Sequence, residues 1–290
     1  MTKTLVCVIA MFAAAAAVIA QDGAAPDPGL GVTSRVDWAA GRMLMEVTLP
    51  LDAGTPSTVR AKADAETDLE QRLPGVLSRA VGPLTVDSSH TLSDYFASDP
   101  GLYARLNDIA LLARRTDLFL TGDFTSLVAR YEVPFFGEQG IGSPLYPSKA
   151  TSIRRRLGDV TTRAYTGVLI FAHGMLPSAG TSRMAAARPA LFPRIWDERM
   201  NLVLDKDMCT PQSLARWGMV GYSAAVDDPA AALRVGNVPL RLAARGVFGD
   251  KDTDIVISMD GARQLLSLPA NISLLQTGRI LIVYDSLVTP

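Results

Sequence analysis

Cysteine and histidine are almost absent from this 290-residue chain, which has two of each. Cys7 lies in the first apolar stretch, so Cys209 stands alone in the remainder and an intramolecular disulfide there is excluded. The fold must therefore rest on core packing, with Cys209 read as a small buried apolar residue. His90 and His173, isolated from each other and joined by one cysteine, do not make a zinc ligand set. Aromatic residues make up only 7% and form no stacking stripe, so Trp38, Trp196 and Trp217 are expected as packing in the core or a domain seam. Charge of one sign is lacking too: 28 basic against 29 acidic residues give a formal net charge of −1. Such a balance offers no basis for a nucleic-acid or anionic-membrane partner.

Phosphate-binding loops are also missing. There is no G-x-x-x-x-G-K-[ST] run and no G-x-G-x-x-G turn after a strand; Gly137, Gly140 and Gly142 fall in a proline-containing stretch. No repeat of fixed period occurs.

What is present begins with an export signal. Lys3 is followed by an apolar run over residues 5–20 and the small-residue pattern Val18-Ile19-Ala20, which predicts cleavage after Ala20. No cysteine follows that run, so no lipid anchor is expected. With 48% apolar residues the rest can bury a substantial core. Residues 21–34, rich in Gly, Pro and Asp, read as a flexible leader. Residues 35–136 read as an N-terminal α+β domain: a strand over 36–51, a helix over 58–78 kinked or interrupted at Pro74, a helix from Thr91 or Ser93, another over 99–114, and a hairpin of strands 116–121 and 127–134. The apolar face of the first helix is read as Val59, Ala63, Leu69, Leu73 and Leu77. Residues 137–149 are the expected linker.

Residues 150–290 read as a C-terminal α+β domain. Strands are expected over 165–172, 200–204, 240–247, 254–258 and 279–284, with helices over 230–235 and 259–268. The last strand, Ile-Leu-Ile-Val-Tyr-Asp, is apolar enough to be central and to pair with Val-Leu-Ile-Phe-Ala of residues 168–172. Arg154-Arg155-Arg156 reads as a solvated turn or helix end. The fold class is thus α+β, two associated domains with mixed or antiparallel sheets and packed helices.

The nearest approach to a catalytic site is Ile170-Phe171-Ala172-His173-Gly174 together with Gly221-Tyr222-Ser223-Ala224-Ala225. It invites comparison with an α/β-hydrolase, in which a His-Gly loop lines the oxyanion hole and an elbow presents the serine. That chemistry needs a histidine after the serine, whereas His90 and His173 both precede Ser223, and Ala225 replaces the second glycine of the elbow. Asp250, Asp252 and Asp254 open like a calcium loop, but Ile255 stands where the turn glycine belongs and Gly261 where the bidentate acid belongs. Arg188-Pro189 and Pro193-Arg194 are read as fixing a long loop through bonds to backbone carbonyls.

The segment order resembles bacterial exported proteins related to flagellar assembly protein T and to envelope lipoproteins of the LPP type. The residues carrying this are Trp38 before a strand, the 60–73 helix, Val86-Asp87 to Asp94, Tyr131-Glu132-Val133-Pro134, Tyr165-Thr166-Gly167, the 188–194 segment with Pro193-Arg194-Ile195, Gly218 to Tyr222, and the 253–258 strand leading to Gly278-Arg279-Ile280. The resemblance implies an envelope protein without catalytic residues. The expected function is accordingly a non-enzymatic periplasmic structural or assembly protein acting through contacts with cell-envelope or flagellar proteins. No catalytic, cofactor-binding or metal-binding residues are assigned. Two other readings remain open: a secreted hydrolase with a rearranged Ser223/His173 site, and a periplasmic small-molecule binding protein with a cleft between its halves.

Overall fold

The computed structural model describes residues 29–102, 104, 113–156, 160–225 and 228–285. The export signal and residues 21–28 of the leader lie outside the described residues, as does most of the helix expected over 99–114.

The first unit is a four-stranded antiparallel sheet of order β1-β2-β4-β3, built from β1 (Gly31–Asp37), β2 (Arg42–Pro50), β3 (Arg114–Leu120) and β4 (Ser126–Pro134). Two expectations are corrected here. Residues 31–34, read as leader, belong to β1; and the single strand expected over 36–51 is a hairpin that turns at residues 38–41, with Gly41 at φ +63°. On β2 the alternation is clear, since Met43, Met45, Val47 and Leu49 are buried and the residues between them are not.

Helix α1 (Thr58–Val81) covers the buried face and continues past Pro74, which it contains, rather than ending there. Its inward face is Ala61, Ala65, Leu69, Val76, Leu77 and Val81, while Val59 is 81% exposed and Ala63 is exposed too. Two rows at i, i+4 spacing were available; the alanine row lets the helix sit close to the sheet. Helix α2 (Leu92–Ser98) starts where Thr91 N–H and Oγ1 donate to Asp94 Oδ2 at 2.6 and 2.8 Å.

Residues 137–149, read as the linker, pack against the rest of the chain. Ile141 is 1% exposed and donates its N–H to Pro134 O at 3.0 Å, and a 3-10 turn follows at Ser143–Leu145.

The second unit holds a seven-stranded mixed sheet of order β10-β13-β5-β11-β12-β8-β9 and a small β6-β7 ribbon. Its strands are β5 (Val168–Ala172), β8 (Ile195–Asp197), β9 (Leu202–Leu204), β10 (Gly221–Ser223), β11 (Leu240–Phe248), β12 (Asp254–Ile257) and β13 (Ile280–Tyr284); the ribbon is β6 (Leu176–Pro177) and β7 (Met184–Ala185). As expected, β13 lies beside β5, in parallel, with Ile280 opposite Val168. Both strands are buried along almost their whole length, which is why they read as continuous apolar runs.

Helices α3 (Pro211–Trp217), α4 (Pro229–Val235), α5 (Met259–Ser267) and α6 (Pro269–Gln276) complete the unit. Ala231 and Val235 of α4 pack on Leu169, Leu281 and Val283, while Leu265, Leu266, Ile272 and Leu275 join the main core. That main core runs through both units. No helix among the described residues is long and apolar enough to cross a membrane.

Candidate functional site

Parallel strands β10, β13 and β5 bring Ser223, Asp285 and His173 to their carboxyl ends, where open sheets present ligand-binding groups. His173 Nδ1 lies 2.8 Å from Asp285 Oδ1, and Gly174 N–H donates to Asp285 Oδ2 at 2.6 Å. The Gly174 N–H and then the His173 ring hold the Asp285 carboxyl below its ordinary range. Met175, which follows Gly174, and Pro177 and Met184 of the β6-β7 ribbon are exposed.

Ser223 is in a different setting, only 3% exposed. Its Oγ lies 2.8 Å from Ala225 O and 3.1 Å from Asp228 Oδ2, and accepts the Ala225 N–H at 3.1 Å. In register Ser223 stands opposite Val283, and Val283 opposite Phe171, so two strand spacings, roughly 10 Å, separate its backbone from the β5 end. The Ser223/His173 arrangement is therefore not formed. His90 does not replace His173 as the base, because it lies in the first unit with Nδ1 3.0 Å from Asp87 Oδ1.

Aromatic side chains pack across the seam between the units. Trp38 sits 5.2 Å from the Phe135 ring and 5.8 Å from Tyr222, which in turn is 5.6 Å from Tyr284. Tyr222 OH donates to Ala190 O and accepts the Ala190 N–H, both at 3.0 Å. Nearby, the loop over residues 85–91 is stitched into the second unit, with Leu191 N–H donating to Thr85 O, Phe192 N–H to Val86 O and Lys251 N–H to Ser88 O. Asp87 anchors that loop. Burial works to raise its pKa, but N–H groups of Ser89 and His90 and the Tyr95 hydroxyl outweigh it and hold the carboxyl below the ordinary value.

The aspartates of the calcium-like run do not converge. Asp252 is clamped by both Arg183 guanidinium nitrogens at 2.7 Å, whereas Asp254, fully buried, accepts from Trp196 Nε1 at 2.9 Å and Arg194 N–H at 3.0 Å. Burial raises the Asp254 pKa. Asp250 is exposed in the turn between β11 and β12. No group of three or more His, Cys, Asp or Glu among the described residues is placed to hold a metal ion.

The other singled-out residues are structural. Cys209 is fully buried and its thiol is pushed up to about 12 by that burial. Arg155 Nε donates to Ser267 O at 2.6 Å and Arg156 to Asp197 Oδ2 at 3.0 Å, so this run is a tether rather than a free turn. Arg194 bonds the Asp205 carboxylate at 2.7 Å instead of a backbone carbonyl.

Two polar residues escaped the sequence reading. Arg234, 8% exposed, donates to Gly278 O, Trp217 O and Gly218 O at 2.8–2.9 Å, and burial lowers its pKa to about 9. Asp197, fully buried, accepts from Arg199 N–H, Asn201 N–H and Nδ2, and Arg156. Neither carries a spacing signal, since their partners are backbone groups or residues brought in by the fold.

No curated protein matches the chain. Both family matches are to domains of Treponema pallidum Tp0624 rather than to the flagellar or LPP-type proteins that segment order suggests. Residues 29–138 match the Tp0624 N-terminal domain and residues 167–286 its second domain, so the chain is similar to that pair of domains, in that order.

Proposed function

We propose that this is a non-enzymatic structural or assembly protein of the cell envelope, exported to the periplasm and acting through contacts with other proteins. The observation that carries this reading is how the polar groups are used. Ser223 and His173 are each engaged by a separate carboxylate about two strands apart, and the buried aspartates Asp87, Asp197, Asp252 and Asp254 each hold a loop. Groups fixed in this way serve to make a rigid body, which suits a surface that recognises partners by shape. Aromatic packing of Trp38, Phe135, Tyr222 and Tyr284 at the seam favours this reading over a ligand cleft between the units. The export-type N-terminus supports the periplasm, and the resemblance in segment order supports a flagellar or other cell-surface assembly.

The test is cross-linking in native cell envelopes, followed by purification of the tagged mature protein with Cys209→Ser to prevent accidental disulfides. The reading predicts recovery in a complex of defined composition. Recovery only as the free chain under gentle extraction contradicts it.

A further inference from the structure

Among the described residues β1 is an unpaired edge of the N-terminal sheet, and apart from Arg35 and Asp37 it has fewer of the devices that blunt pairing than the other strand edges. Strand β1 is seven residues long, pairs with β2 without a register shift, and contains neither proline nor lysine. At the opposite edge, β3 has a register shift between Arg115 and Asp117 and carries three charged side chains. In the second sheet the edge strands β9 and β10 are only three residues each.

Which backbone groups face outward follows from the neighbouring bonds. Leu51 N–H donates to Thr125 O and Phe135 N–H to Gly41 O, so odd-numbered residues of β2 bond toward β4 and even-numbered ones toward β1. Their partners on β1 are Gly31, Thr33, Arg35 and Asp37. The N–H and C=O groups of Val32, Ser34 and Val36 thereby face the outer edge, where no strand among the described residues pairs with them. Their side chains lie on the core side, opposite Val47, Met45 and Met43, yet Val32 is 41% exposed.

We propose that β1 is a self-association edge, pairing antiparallel with β1 of a second copy about a two-fold axis at Ser34. A second copy is the occupant because the strand is complementary to itself in that register. Val32 of one copy falls opposite Val36 of the other, twice, Thr33 falls opposite Arg35, and the small Ser34 meets itself at the axis. The residues paired in this way are the ones whose backbone groups point outward, giving about six hydrogen bonds and two β-branched pairs that extend the core. The result is one continuous eight-stranded sheet across two molecules. This goes beyond the assembly reading and does not depend on it, since self-pairing can occur whether or not other partners bind.

Sedimentation velocity on the exported, purified chain, from micromolar to several hundred micromolar, tests the proposal. A weak dimer is expected, because a single strand edge buries less than a standard interface. Ser34→Pro, which removes an outward N–H at an edge position that tolerates proline, and Val32→Lys should each weaken it at least tenfold. The register is tested by oxidation of Ser34→Cys, which should form a disulfide dimer at least tenfold faster than Val59→Cys, placed at an 81% exposed helix position. Equal rates for the two cysteine variants, or a dimer that both β1 substitutions leave unchanged, would overturn the proposal.

Discussion

Gly249→Ala adds one methyl group at the seam and should be among the costlier small substitutions in the molecule. Gly249 has φ +89°, and a Cβ there would sit 2.3 Å from Ser88 Cβ, 2.9 Å from Ser88 Oγ and 3.2 Å from Ser88 O. Carbon atoms in contact prefer about 3.5–4.0 Å, so the 85–91 loop would have to move by more than ~1 Å. That loop is held by Leu191, Phe192 and Lys251 N–H groups, which resist the movement. The left-handed backbone costs an alanine about 1 kcal/mol, and overpacking of a well-fitted site adds about 1–3 kcal/mol. The sum is a loss of about 2–4 kcal/mol, readable as a lower urea midpoint at constant slope. Gly174→Ala isolates the backbone contribution, because Gly174 has φ +72° with nothing within 4 Å of its Cβ position; it should cost about 1 kcal/mol. Ser88→Gly in the Gly249→Ala background removes the two closest atoms and should recover about 1–2 kcal/mol relative to the sum of the single changes. If Gly249→Ala costs no more than Gly174→Ala, the loop is not seated against the β11-β12 turn and the packed seam is wrong.

Other expectations follow from individual side chains. Asp197 has a pKa below its ordinary 3.8, the opposing effect of burial being outweighed by its donors. Its stabilisation should be complete above that ordinary value and lost as pH falls through the lower folded value, so Asp197→Asn should flatten the acid limb of a urea-midpoint curve taken from pH 6 down to 2. Arg234→Met leaves the carbonyls of Gly278, Trp217 and Gly218 without these donors and should lower stability by about 1–3 kcal/mol by denaturant titration. A fluorophosphonate probe should leave Ser223 unmodified, and labelling of that residue would restore the hydrolase reading. The Cys209 thiol should remain unreactive toward a disulfide reagent until the chain is unfolded.

The parts legible in sequence were those whose signal is local. The buried parallel strands β5 and β13 announce themselves as five-residue apolar runs, and the Thr91/Asp94 pair marks the start of α2. Strand β1 was not legible because Gly-Val-Thr-Ser-Arg-Val-Asp has weak apolar content and follows a Gly/Pro-rich stretch; its pairing with β2, a tertiary effect, decides its conformation. Three-residue strands such as β8 and β10 are too short to show a period. Helices α3 and α6 could have been found from Pro211 and Pro269 at their first turns, with Thr210 Oγ1 capping α3.

For the site, the His-Gly and Gly-Tyr-Ser words mark residues at the carboxyl ends of parallel strands, but their separation depends on strand order. Placing β13 between β10 and β5 puts Asp285, the residue that engages His173, where the sequence comparison looked for Ser223. The same holds for the aspartates: Asp252 and Asp254, neighbours on the chain but one, are drawn apart by Arg183 and Trp196, which the sequence places far from them.

The central claim is that the protein works through its surface and not through Ser223 and His173. Its most direct measurement compares the size of the native envelope complex formed by Ser223→Ala/His173→Ala, confirmed folded, with that formed by the parent chain. The account predicts that the double substitution leaves the complex intact. A complex lost with the double substitution, or none with the parent chain, would contradict it.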